Sequence, residues 1–446
     1  MAISKYVPSR RISGEIAWVV GGQIALLLAG LVSVRALTEL LAPEAYGRFA
    51  LSLTLAQLII QTLMGGLGQG FARFFSVAAE ANELSSFLRT AAKLLAGATV
   101  ATIGFGLLTL LAMNVAGHAG ESGLFSLALA FAIFSGWNST FGAIQNAARQ
   151  RVIVVAHSSI DSWMRLFIAV YLIGILGASA QTVVIGYTIS AIIICTSQVS
   201  ILYATTYRRS LAMGALSERA QPHAFSGWAP QIWAFSWPFS AWGIFTWLQQ
   251  ASDRWALEIF SSTNDVGNYA ALYQLGYGPV SMAAGVAMAI VAPILYERTG
   301  SASDPARSAA AHSMVRNLAG VILLGTFCGF LVLTQIHHWI FSLFVGEGFR
   351  EKSFLLPWMF LAGGMFATGQ LLSLKQMGDI EIRRLLAPKI ATALIGLALN
   401  ILGAIIAGII GVVSAMVAFS VIYAVWMGCL SFRVSLPFVF EGRREP

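Results

Sequence analysis

Pro43-Glu44-Ala45-Tyr46-Gly47-Arg48-Phe49-Ala50 has a counterpart far along the chain, Thr263-Asn264-Asp265-Val266-Gly267-Asn268-Tyr269-Ala270. Gly47 aligns with Gly267, Phe49 with Tyr269, and Ala50 with Ala270. Each copy follows an apolar segment that ends in an arginine, Arg35 or Arg254, and each opens another long apolar segment. The copies stand close to half a chain apart, so the chain reads as two similar halves in tandem. The local chemistry suits a helix that ends, turns and restarts at a membrane surface. Glycine supplies a permissive backbone for the turn, and the aromatic that follows suits headgroup level. A second match, Leu95-Ala96-Gly97 with Leu318-Ala319-Gly320, lies at nearly the same offset in the two halves.

Composition fixes the solvent. Hydrophobic residues make up 57% of the chain and charged residues 10%, against roughly 25% charged in a soluble domain. The long apolar runs free of charge are helical; the alternation of barrel strands is not seen. The expected fold is therefore an all-α integral membrane protein. A net charge of +8 would suggest a nucleic-acid partner in a soluble protein. Here it is explained by basic cytoplasmic loops, and no nucleic acid is expected. Cys195, Cys328 and Cys429 all lie in apolar runs and read as small buried hydrophobes without a disulfide. Lys5, Arg10 and Arg11 precede the first apolar stretch; since Ile16 to Val34 is long enough to span and runs on into the repeat, it reads as an uncleaved first helix.

About twelve spans follow at roughly 20 residues each. They are expected near 15–36, 46–68, 90–113, 123–147, 159–177 and 182–205, then 230–251, 268–292, 314–335, 354–376, 386–408 and 411–431. This gives an N-terminal six-helix lobe over 1–206, a polar, basic cytoplasmic linker over 207–228, and a C-terminal lobe with its tail over 229–446. Six spans separate the copies, so the repeat is parallel, related by an axis along the membrane normal, and substrate would pass between the lobes. Alternate loops carry Arg73, Arg89 and Lys93; Arg149 and Arg151; Arg208, Arg209 and Arg219; Arg298, Arg307 and Arg316; and Lys375, Arg383, Arg384 and Lys389. The opposite loops hold Arg48, Arg350 and Lys352, with Arg35 and Arg254 near helix ends. Both termini are expected in the cytoplasm.

Three patches carry a family resemblance. Leu41-Ala42-Pro43-Glu44-Ala45-Tyr46-Gly47-Arg48-Phe49 resembles the junction after the first helix of the polysaccharide flippases of the multidrug/oligosaccharidyl-lipid/polysaccharide exporter superfamily. Gly65-Gly66-Leu67-Gly68-Gln69-Gly70-Phe71-Ala72-Arg73-Phe74 is similar to the end of that family's second helix. Asp253-Arg254, with Asp265-Val266-Gly267-Asn268-Tyr269, resembles its seventh-to-eighth helix junction. The resemblance implies two six-helix lobes around a central cavity in a bacterial inner membrane. It implies transfer of a polyprenyl-diphosphate-linked oligosaccharide from the cytoplasmic to the outer leaflet, for O-antigen, capsule or exopolysaccharide synthesis. Membrane lipids, a polysaccharide polymerase and chain-length proteins are the other partners it implies, and no cofactor. The lipid II flippases of the superfamily usually carry two further helices, which favours the O-antigen or exopolysaccharide (Wzx-type) branch here.

The candidate substrate-binding residues are polar groups inside apolar runs. Asp161 and Arg165 stand i,i+4 on the fifth span. They read either as a cavity pair or as an intrahelical salt bridge near the interface, with Arg165 about 10 Å along a helix that enters near Ser158. Arg35 and Arg254 occupy matched positions near the outer ends of the first and seventh spans. Either they rim one cavity or they snorkel to the outer headgroups, and Asp253 would neutralise Arg254. Gln57 and Gln61 share a face of the second span, Asn138 lies in the fourth, and Gln249 and Gln250 end the seventh. Such amides bind sugar hydroxyls or bond neighbouring helices. Glu15 opens the first span toward the cytoplasmic headgroups. His337 and His338 read as an outer-loop pair, solvated, with no third ligand near enough for a metal. Gly65, Gly66, Gly68 and Gly70 suggest close helix contact or a bend, and Pro230, Pro238, Pro279 and Pro293 suggest kinks.

The main alternative to a flippase is a cation-coupled drug or metabolite antiporter of the same superfamily. It would want a deep carboxylate, and apart from Asp161 the first lobe has none well inside a span. A membrane enzyme such as a polymerase or glycosyltransferase would need a sizeable loop with acids or bases. No Asp-x-Asp motif appears and the outer loop near Gln335 to Ser353 is short, so the protein reads as no enzyme.

Overall fold

A computed structural model of the chain describes residues 10–117, 119–208, 227–299, 305–378 and 383–432. These residues are almost wholly helical, with no strand among them. In order, the helices are α1 (Arg10–Leu40), α2 (Pro43–Glu80), α3 (Leu84–Val115), α4 (Ser122–Ala147), α5 (Arg151–Leu176) and α6 (Ala180–Tyr207). Then come α7 (Trp228–Phe260), α8 (263–299), α9 (Pro305–Phe344), a 3-10 stretch (Glu347–Leu355) and α10 (Leu356–Gly378). The last long helix, Arg383–Phe432, breaks at Ala407 and Gly408 into α11 (383–406) and α12 (409–432). Gly408 takes φ +53° there, which a side chain would resist. The fold is thus the expected all-α membrane fold; twelve long helices are traced among the described residues, and nine helical stretches are long and apolar enough to cross a membrane. Most of the 207–228 linker (209–226), the N-terminal tail and the C-terminal tail lie outside the described residues, as does the side chain of Glu15.

The halves match element by element. In each, the first two helices are joined by two residues, Leu41–Ala42 or Ser261–Ser262. Pro43 starts α2 at a position where its missing N–H costs nothing. Ser262 starts α8 as an N-cap, its Oγ accepting from the Asp265 N–H at 3.1 Å. The repeat's glycines do not make the turn: Gly47 and Gly267 lie buried in the first turns of α2 and α8, with helical backbone. Nor do the aromatics reach the headgroups, because Phe49 and Tyr269 are buried. Both second helices contain one wide π turn, Ile60–Gly65 in α2 and Tyr273–Tyr277 in α8. In α2 the turn ends at Gly65-Gly66; in α8 it precedes Pro279, which has no N–H to continue the ladder. Pro230, by contrast, falls in the first turn of α7 and makes no kink. Both third helices are bare: 17% of the apolar window is buried in α3 and 11% in α9, which marks them as lipid-facing.

The chain divides into two compact units, Met1–Ala251 and Ser252–Pro446, with the seam inside α7. In the first, α6 packs against α4 and α5, α5 against α1, and α4 against α2 and α3. One end is closed by Leu67, Phe71, Phe75, Phe87, Ile232 and Trp228, and the Trp228 indole donates to Glu83 Oε2 at 3.0 Å. The start of α7 belongs to this unit because glycines let it approach α2. A Cβ on Gly66 would stand 2.8 Å from the Ser236 carbonyl oxygen, and one on Gly243 2.5 Å from that of Gln61. The glycine run therefore makes the close helix contact, one of the two roles expected of it. In the second unit α10 packs against α8, α9 and the α11–α12 pair around Leu295, Leu371 and Tyr423. The cysteines are free. Cys195 is buried as expected, but Cys328 is exposed on lipid-facing α9.

Candidate functional site

The fifth helix carries the best-built polar cluster. It starts at Arg151, well before Ser158. Arg165 therefore lies about 21 Å along α5, near its middle, at 1.5 Å per residue. This corrects the placement expected from sequence, which started the helix near Ser158 and so left out Arg151 and the apolar stretch 152–156. The Arg165 guanidinium pairs with Asp161 Oδ2 and reaches Ser135 Oγ of α4 at 3.5 Å. Asp161 Oδ1 accepts from Ser190 Oγ of α6 at 2.8 Å. The guanidinium carbon stands 4.9 Å from the Phe131 ring centre and 5.7 Å from that of Tyr187. Each such contact is worth roughly 0.5–2 kcal/mol. The side chains are 23% and 12% exposed for Arg165 and Asp161. The pair is thus an intrahelical salt bridge, but a largely buried, mid-helix one. Arg165 Nε is buried with no hydrogen-bond partner among the described residues, so the fork is only partly satisfied.

The second unit holds a comparable cluster. Asp253 is fully buried, and its Oδ1 accepts from the Arg254 backbone N–H at 2.7 Å and from Nη1 at 3.4 Å. Its Oδ2 accepts from the Tyr269 hydroxyl at 2.6 Å. The Arg254 guanidinium lies 4.4 Å from the Tyr273 ring centre and 5.8 Å from that of Tyr269. Arg254 therefore does not snorkel: its side chain is 12% exposed and held between an acid and two rings. Beside it, Asn400 Nδ2 donates to Ser252 Oγ at 3.0 Å.

The remaining expected residues are more scattered. Arg35 pairs with Glu39 at 3.0 Å near the C-terminal end of α1. Gln61 Nε2 donates to Gln250 Oε1 at 3.1 Å, joining α2 to α7, while Gln57 is exposed and Gln249 half-buried. Asn138 Nδ2 donates to the Ala191 carbonyl at 3.0 Å, a helix-packing bond. His337 and His338 lie in α9 rather than in a loop, their ring centres 4.0 Å apart, each Nδ1 3.2 Å from Ser353 Oγ. Among the described residues, no three His, Cys, Asp or Glu side chains converge as a metal site would require.

Two buried groups escaped the sequence reading. Gln145 is fully buried, and neither of its amide atoms has a partner among the described residues. His157 is buried on α5, with Nδ1 2.8 Å from the Ile153 carbonyl and Nε2 3.0 Å from Ser197 Oγ. It precedes Asp161 by four residues, so the spacing that exposed the Asp161–Arg165 pair would also have found it.

Comparison with known proteins adds a family and a fold. A family model described as polysaccharide biosynthesis protein matches residues 14–297, more than half the chain. No curated protein matches. Among solved structures, a lipid II flippase, MurJ, in an inward closed conformation is 12% identical with a TM-score of 0.67, covering 94% of this chain and 87% of that one. A multidrug resistance MATE family transporter of the MOP superfamily, facing inward, is 14% identical with a TM-score of 0.63, covering 93% and 96%. The Vibrio cholerae MATE transporter VcmN is 14% identical with a TM-score of 0.58, covering 94% and 97%. At these identities the likeness is one of fold.

Proposed function

The chain belongs to the polysaccharide biosynthesis protein family, and on that premise we propose that it is a flippase for polyprenyl-diphosphate-linked oligosaccharides. It moves its substrate from the cytoplasmic to the outer leaflet of a bacterial inner membrane, with both termini in the cytoplasm, in the service of O-antigen, capsule or exopolysaccharide synthesis. A polymerase and chain-length proteins act on its product, and the protein itself carries out no bond chemistry.

The observation that carries this reading is the mid-helix guanidinium of Arg165. A diphosphate that leaves water needs a permanent cation with paired donors, and arginine meets that need. Phe131 and Tyr187 hold the guanidinium, Asp161 neutralises it at rest, and its Nε has no hydrogen-bond partner among the described residues. Arg254, with Asp253, and Arg35 supply further cations at matched positions of the two halves. Gln57, Gln61, Asn138 and Gln249 are the amides assigned to sugar hydroxyls, of which Gln57 and Gln249 make no helix-packing bond described above.

The test must separate function from folding, because removing one partner of a buried pair costs about 3–5 kcal/mol by stranding the other. Arg165→Ala is expected to abolish polysaccharide export and Arg165→Lys to keep part of it. The neutral double variant Arg165→Gln/Asp161→Asn strands no charge and is expected at normal levels in the membrane, also without export. Full export by the double variant removes Arg165 from the site. Unchanged export together with loss of resistance to cationic drugs would favour the antiporter.

A further inference from the structure

His157, Asp161 and Arg165 form a ladder on one face of α5, each a turn from the next. Each rung has its own partner on α6: Ser197 for His157, Ser190 for Asp161, and Tyr187 for Arg165. The flippase reading leaves the first rung unused. Yet that reading creates a charge problem which His157 is placed to solve. When Arg165 turns to a diphosphate, Asp161 keeps only the Ser190 hydroxyl. A buried carboxylate with one hydroxyl partner is costly and must gain a counter-charge or a proton.

The neighbouring helices bring no substitute. α5 packs against α1, α4 and α6. α4 contains no charged residue; α6 contains none either, and its titratable groups are Tyr187, Cys195, Tyr203 and Tyr207. α1 carries Arg10, Arg11 and Glu15 in its N-terminal turns and the Arg35–Glu39 pair near its C-terminal end. On α5 itself the other charged residue is Arg151, ten residues before Asp161. His157 is therefore the titratable group one turn from Asp161.

Its hydrogen bonds define how a proton would arrive. The Ile153 carbonyl can only accept, so Nδ1 carries a proton in every state. In the neutral ring Nε2 accepts from the Ser197 hydroxyl. Resting on the flippase reading, we propose that His157 takes up one proton from cytoplasmic water when Arg165 leaves Asp161 for the diphosphate. The proton bonds to the Nε2 lone pair, and Ser197 Oγ turns from donor to acceptor. The imidazolium then replaces the guanidinium as the counter-charge of Asp161, and the cluster gains one positive charge as the anion enters. When Arg165 returns to Asp161, the proton leaves.

Calorimetry on the full chain in lipid nanodiscs tests this, with a bacterial polyprenyl diphosphate as the probe. Titrations in buffers of different ionisation enthalpy, between about pH 6 and 8 where histidine changes charge, count the protons taken up. The wild type is expected to take up close to one proton per probe bound. His157→Gln is expected to bind the probe with uptake near zero. Relative to that variant, wild-type affinity then improves as pH falls, by up to tenfold per unit; titration of the probe itself is common to both. Wild-type binding without proton uptake overturns the proposal whatever the variant does, and so does equal uptake by His157→Gln. Failure of the wild type to bind the probe at any pH overturns the diphosphate reading, and the proton step with it.

Discussion

Aligning the halves on Arg35 and Arg254 puts Val34 opposite Asp253, and the repeat itself, whose register is one residue longer, puts Phe49 opposite Tyr269. The two differences belong together. Asp253 is a buried acid with an oxygen to satisfy, and its half places a hydroxyl on the ring: Tyr269 donates to Oδ2 at 2.6 Å. Val34 asks for nothing, and the ring of its half is a phenylalanine, packed edge-on to Tyr187 at 5.2 Å. Tyr187 in turn lies against Arg165, so the repeat's aromatic supports a caged arginine in both halves, directly in one and through a second ring in the other. Tyr269→Phe should therefore destabilise the protein, since a hydrogen bond to a charged group is worth about 1.5–3 kcal/mol and its loss leaves Asp253 short of a partner. The measurement is a thermal melt in detergent. Asp253→Val should cost more, about 3–5 kcal/mol, because it also strands the buried Arg254 guanidinium. If Tyr269→Phe melts with the wild type, the bond carries no stability. The charges of this cluster were legible in the sequence, but the role of the ring was not: a glycine–aromatic pair after a helix end suits a surface turn as well as a buried first turn. Only packing distinguishes them.

At the level of the helix, apolar run length placed all twelve elements and misplaced several ends. Helix α2 runs on to Glu80 and α5 starts at Arg151, past the ends near 68 and 159 expected from the apolar runs. That error mattered for the site, because it set Arg165 about 10 Å along its helix where the structure sets it about 21 Å along. Glycine was the more readable signal for contact, though its partner was not. The run from Gly65 to Gly70 announced a close neighbour, and the structure shows the neighbour to be α7, with Gly243 on the facing helix. Backbones that approach this closely exclude even a methyl group. Gly243→Ala would place its Cβ 2.5 Å from the Gln61 carbonyl oxygen and 2.8 Å from its carbon, in the π turn of α2. Overpacking of this kind costs about 1–3 kcal/mol, so Gly243→Ala should lower the melting temperature and the folded yield. Gly97 is the control, since nothing lies within 4 Å of the position its Cβ would take. There alanine should be neutral or stabilising, by up to about 1 kcal/mol of helix propensity. Equal melting temperatures for the two variants would show that the α2–α7 contact yields freely.

Across the whole molecule, orientation follows from where basic residues gather. If each of the twelve helices traced among the described residues crosses once, alternate connections share a side. Arg73 near the end of α2, Arg89 and Lys93 at the start of α3, Arg149 and Arg151 between α4 and α5, and Arg208 after α6 fall on the side of the N-terminus. Basic residues on the other side are few, and each has an acid beside it. Arg48 pairs with Glu44 at 2.9 Å, Arg350 with Glu347 at 3.6 Å, Lys352 with Glu351 at 2.7 Å, and Arg35 with Glu39 at 3.0 Å. These exposed pairs contribute about 0–1 kcal/mol each to stability. Their consequence is electrostatic: that face offers little net positive charge to hold it in the cytoplasm. Because short loops rich in lysine and arginine resist translocation, the N-terminal side should be cytoplasmic. The flippase reading needs this orientation, since it puts the start of α5, and with it the His157 end of the ladder, toward the leaflet where the substrate is made. Reporter fusions after Gln150 and Gly378 should therefore report cytoplasm, and fusions at Glu121 and Glu347 the opposite side. A reporter found outside at Gln150 would invert the path along α5, with Arg165 reached before His157, and the direction of transport proposed for the protein would have to be reversed.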